Sequence, residues 1–151
     1  MPLPNAFDPS EIQSLVSRLG SLQVGSAPRW GRMDPAQMCA HCCTPYQQLR
    51  GEKGGGPLPL RLLARLFFKG SVVGEQPFKK NIPTPPAFRV ADSRKLDSER
   101  ERLVGFIREF HGQGAAAFEG RTHVTFGPLK AGEWSNLLWK HLDHHLRQFG
   151  V

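Results

Sequence analysis

The chain has 151 residues, of which 20 are Lys or Arg and 13 Asp or Glu, a formal charge of +7, and 39% are hydrophobic. That is too apolar for a disordered chain and suits one domain with a single core. No run approaches the ~18 apolar residues of a membrane span, no basic-then-apolar leader opens the sequence, and three cysteines within five residues form no disulfide framework, so a cytoplasmic protein with no membrane partner is expected.

Helix signals dominate from the first turn. Asp8-Pro9 places a cap residue before Pro at the first helical position, and Ile12, Leu15, Val16 and Leu19 follow at helical spacing up to Gly20. Residues 21–33 read as a loop ending in Trp30-Gly31-Arg32-Met33. A second Asp-Pro pair, Asp34-Pro35, opens a helix toward Arg50, with Gln37 placed to complete a capping box. Pro45 lies inside that stretch and deletes a bond to the His41 carbonyl, so a kink or stop near residue 44 is expected.

Gly51 to Pro59 breaks the chain, Leu60 to Lys69 makes a short apolar helix, and the proline-rich stretch Phe78 to Phe88 holds no regular element. Asp92 to Phe110 reads as a long helix, its Glu99–Arg102 run a solvated face of opposing charges. Gly112 to Gly120 is a turn region, and Thr122 to Phe126 alternates weakly as an extended piece. Lys130 to Phe149 is the clearest helix, stopped by Gly150. Four substantial helices, one short extra helix and long loops make an all-α four-helix bundle the expected fold.

The last helix concentrates three of the six histidines. At about 100° per residue His141 and His145 stand roughly 40° apart and one turn apart along the axis, where two imidazoles reach one metal ion. Trp134, Leu138, Leu142 and Phe149 define the inward face; His145 falls among them, and His144 points to the flank. Such a pair is short enough to be a mere decoration of a basic helix. Polar groups facing a core cost about 1–3 kcal/mol without partners, however, and His41 also lies on the inward side of its own helix. Together they make a three-histidine site with open positions.

Trp30-Gly31, Gln37-Met38-x-Ala40-His41, His123-x-x-Phe126-Gly127-Pro128-Leu129, Glu133-Trp134 and the run from His141 to Gly150, HLDHHLRQFG, carry a resemblance over most of the chain. The sequence resembles the DinB/YfiT-like superfamily of metalloenzymes. The resemblance implies a single domain over residues 1–151, a four-helix bundle of up-up-down-down connectivity, and a divalent metal, often zinc or nickel, held by His41, His141 and His145. It also implies a low-molecular-weight thiol as co-substrate in several relatives, and homodimers are common among them. Pro45 and the cysteines depart from the usual pattern.

Other residues bear on the chemistry. Cys39 and Cys42 form a CxxC without the strand–helix context of a redox motif, so they read as buried thiols. His123, on the loop before the last helix, is a candidate proton carrier, and Asp143 or Gln148 a partner for the outer ring nitrogens. Arg29, Arg32 or Lys79 are candidates to bind anionic groups of a thiol. The basic residues are scattered, with no recognition helix or stacking platform, which speaks against nucleic acid. Three functions remain: thiol-dependent transfer to a small-molecule substrate; metal-dependent hydrolysis, for which Glu133, Asp143 or His123 would serve as base; and a non-catalytic, stress-related metal-binding protein.

Overall fold

The computed structural model describes residues 2–151. It is 55% helix and 3% strand, an all-α fold. Its helices are α1 (Pro9–Gly20), α2 (Pro35–Cys42), α3 (Thr44–Leu49), α4 (Leu58–Phe67), α5 (Lys69–Val73), α6 (Leu96–His111) and α7 (Ala131–Gln148). The helices α6 and α7 each pack on both α1 and α2, and α5 lies along α7. Between these four the apolar stripes close one core, in which Leu15, Leu19, Met38, Leu103, Ile107, Trp134, Leu138 and Leu142 are almost wholly buried.

The local chemistry at helix ends explains most boundaries. At α2 the Asp34 carboxylate accepts from the Gln37 N–H at 2.8 Å while the Gln37 side chain accepts from the Asp34 N–H at 3.0 Å, the full capping box. Asp8 occupies the cap position of α1 but takes the Asn5 amide instead of a helix N–H. Gly150, at φ +77°, closes α7 in the left-handed region and lets the Val151 N–H reach back to the Leu146 carbonyl. Pro45 acts as a divider rather than a kink: α2 ends at Cys42, and α3 restarts with Pro45 in its first turn.

Four expectations need correction. The helix expected from Asp92 begins only at Leu96, because Asp92 is spent on Arg94 and its carbonyl receives the Gln37 side chain. The proline-rich stretch holds a 3-10 turn at Pro86–Phe88, and the Gly112–Gly120 region another at Ala115–Phe118. The extended piece is a two-residue strand, Thr122–His123, paired antiparallel with Gly127–Pro128. The charged run of α6 is not simply solvated: Glu99 is buried between Arg94 and Arg102, and Arg100 donates to the Leu19 and Leu22 carbonyls, tying α6 to the end of α1.

The described residues include no helix long and apolar enough to cross a membrane. Cys39, Cys42 and Cys43 are buried free thiols, as the sequence reading expects, and burial pushes Cys39 and Cys43 up to about 12.

Candidate metal centre

Two helices bring three imidazoles to one point. His41 comes from the last turn of α2, and His141 and His145 from successive turns of α7. One ring nitrogen from each lies within 4.8 Å of the other two, a grouping that could hold a metal ion. His41 and His145 are buried, whereas His141 is half-buried. His41 and His145 meet edge to face with centroids 4.6 Å apart, as do His141 and His145 at 4.9 Å, and His41 and His141 are tilted at 5.1 Å.

The outer nitrogens decide which atoms face inward. His41 Nδ1 lies 2.8 Å from the Phe88 carbonyl, an atom that only accepts. The Nδ1 of His41 therefore carries the proton, and its Nε2 holds a free lone pair. His145 Nδ1 lies 2.8 Å from Gln148 Oε1. The Gln148 amide is oriented by its other end, since Nε2 donates to the Trp30 carbonyl at 2.7 Å. Its oxygen must then accept from His145, which leaves His145 Nε2 unprotonated as well.

His141 Nε2 stands 3.1 Å from His41 Nε2. That is a hydrogen-bond distance: without an ion, a neutral His141 with its proton on Nε2 donates to the His41 Nε2 lone pair, and a cation bound there would take the place of that proton. Protonating a ring is costly here: burial lowers His41, lowers His141 well below its ordinary value, and takes His145 down to about 3, with the neighbouring imidazoles lowering His141 and His145 further. Three neutral imidazoles with a nitrogen of each within 4.8 Å of the others suit a divalent cation by ligand type and by number.

The surroundings are aromatic and short of acids. Phe78 stands edge-on to His141 and His144, Trp30 to His144, and Phe88 beside His41. Lys80 lies over the Trp30 ring with Nζ 4.4 Å from its centre. Lys140, adjacent to His141 in sequence, donates to the Ser71 and Gly74 carbonyls with its Nζ 4.5 Å from the centre of the Phe78 ring, pinning α5 and its end to α7.

Of the partners expected for the outer nitrogens, Gln148 takes that place and Asp143 does not. Asp143 pairs with Arg18 at 2.9 Å and with Arg147. His123 is not among the three converging rings: it stacks on Phe126 against Trp134, and its Nδ1 accepts from the Thr125 and Phe126 N–H groups. Burial holds it at about 4. Glu133 caps its own helix through the Lys130 N–H and pairs with Lys69. Arg29 lies against Gly150, where an added Cβ would stand 2.7 Å from its Nη2, while Arg32 and Lys79 are exposed. Sequence reasoning missed the Phe88 carbonyl, which is a backbone atom on a loop and leaves no residue signature.

A family model described as a protein of unknown function, DUF1569, matches residues 6–150. The comparisons with curated proteins and with solved structures give no match.

Proposed function

The chain belongs to the DUF1569 family, and we propose that its three histidines form a divalent-metal centre, zinc or nickel, in an enzyme of thiol-dependent S-transferase type acting on a small molecule. The observation that carries the reading is the pair of fixed tautomers, with His41 and His145 each locked Nδ1–H outward and Nε2 inward against His141. Two lone pairs fixed inward, beside a third imidazole whose proton a cation can displace, suit a metal-binding cluster. The resemblance to DinB/YfiT-like metalloenzymes supports the same ligands, and with it the reading of α1, α2, α6 and α7 as an up-up-down-down four-helix bundle to which α4 and α5 are added.

A divalent ion bound there would lower the pKa of a thiol beside it and favour the thiolate. The chain's own residues position the ligands and keep them neutral by burial, His141 being the least buried of the three. Phe78, Trp30 and His144 form an aromatic rim beside the cluster, and Lys80 supplies a cation for an anionic group of the incoming molecule. Transfer is favoured over hydrolysis because the carboxylates that could serve as base are committed, Asp143 to two arginines and Glu133 to a helix cap. A thiol brings its own nucleophile and needs no such base.

Elemental analysis tests the centre. The purified protein should carry about one divalent ion per chain, and His145→Ala should lose it; equal content in both removes the centre. A thermal-shift series on the metal-loaded protein with glutathione, bacillithiol and mycothiol tests the transfer step, which falls if none of the thiols stabilises it.

A further inference from the structure

The helix α4 is turned inside out. At 100° per residue Leu58, Leu62, Leu66, Leu63, Phe67 and Leu60 fill an arc of roughly 200°, and it is this arc that faces solvent, each residue between 52% and 75% exposed. The opposite side carries Arg61, Ala64 and Arg65, and it is this side that meets the protein. Arg61 is half-buried beside Gly55 and Thr125, and the Arg65 guanidinium lies on Gly127, where an added Cβ would stand 2.9 Å from Cζ. Phe68, at 60% exposed, extends the apolar strip past the helix end. The seven side chains together present roughly 800 Å², above the ~300–600 Å² of the largest apolar patch on an ordinary monomer.

Charge identifies what covers this face. From Lys53 to Gly74 the chain contains Lys53, Arg61, Arg65 and Lys69 and no Asp or Glu. Exposed Arg65 and half-buried Lys69, the latter 3.7 Å from Glu133, stand at one edge of the apolar arc, and the whole chain is cationic at +7. A second copy docked on the same face would meet like charge at its edge, where Glu133 is already paired with its own Lys69. An anionic lipid surface offers both an apolar layer for Leu and Phe and counter-charge for the basic edge. We propose that α4 is a membrane-surface docking element, lying in the interface of an anionic bilayer with Leu62, Leu66 and Phe67 inserted. Lying in the interface differs from spanning, for which no described helix qualifies.

The test uses the full chain and sedimentation with vesicles of 3:1 phosphatidylcholine and phosphatidylglycerol, against phosphatidylcholine alone. The expected result is binding to the anionic vesicles, a fall of tenfold or more in the bound-to-free ratio at 0.5 M salt, and loss of binding in Leu66→Glu/Phe67→Glu with circular dichroism unchanged. A second readout places a polarity-sensitive dye on Leu66→Cys, the native thiols being buried, with Val24→Cys as the control at another exposed apolar site. Emission should rise with anionic vesicles at position 66 and not at 24. Absence of vesicle binding, an equal response at both positions, or a dimer in solution that Leu66→Glu dissolves would each overturn the proposal, the last by assigning the face to a second copy.

Discussion

Gln148 touches no other converging ring than His145, yet its amide fixes the proton that decides whether His145 can be a ligand. Its Nε2 is anchored on the Trp30 carbonyl at 2.7 Å, and its Oε1 receives His145 Nδ1–H at 2.8 Å. Replacing it by Leu keeps the buried volume and removes both bonds. His145 is then free to rotate or to adopt the other tautomer, with its proton on the inward nitrogen. Loss of such a partner weakens metal binding by about 10- to 100-fold, which is ~1.4–2.7 kcal/mol at 25 °C. The assay is a competition titration of zinc between the protein and a chromogenic chelator, with circular dichroism to confirm the fold. An affinity within twofold of the wild type in a folded Gln148→Leu protein would refute the tautomer argument.

Other outcomes follow from the same geometry. Gly31 has φ +78°, and a Cβ there would stand 2.6 Å from Gln148 Nε2, so Gly31→Ala should cost about 1–3 kcal/mol of stability and reproduce the affinity loss of Gln148→Leu. His111 is fully buried, and burial takes it from 6.5 to about 4. The unfolded chain therefore binds the extra proton between those values, and stability present above pH 6.5 is lost as pH falls toward 4. The loss is about 3 kcal/mol, read by urea unfolding of metal-free protein, and His111→Asn should show a shallower slope. Tyr46 donates its hydroxyl to His111 Nε2 at 2.7 Å, since Nδ1 donates to the Ala6 carbonyl. Tyr46→Phe should cost about 1–3 kcal/mol in the same assay. Lys140→Met leaves the Ser71 and Gly74 carbonyls without their donor and should lower the thermal midpoint with the metal content unchanged; loss of the metal would show that the segment after α5 also shapes the centre.

The sequence carried the parts of this molecule that local chemistry controls. Asp34-Pro35 with Gln37 spelled out a helix start that forms in full. The four-residue spacing of His141 and His145, together with an inward His41, located the cluster, because helical geometry alone sets which side chains share a face. What stayed hidden depends on tertiary partners. Nothing in the residues around Phe88 announces that its carbonyl will hold a ring, and Asp143 looked as suitable as Gln148 until Arg18 arrived from α1 to claim it. Residues 92–95 look helical by composition but are held as loop by contacts to Gln37 and Glu99. Leu60 to Lys69 read as a short apolar helix, which did not say which side faces in, and the side with Arg61 and Ala64 does.

His41 and His141 touch across 100 positions of the chain. During synthesis the first imidazole is made long before its companions, which belong to the final helix and emerge last. Before α7 is made, the chain has only His41 to offer, so an ion that needed all three rings would bind only after α7 had docked. An ion held by all three rings would tie α7 to α2, so its affinity would report on whether these two helices are docked.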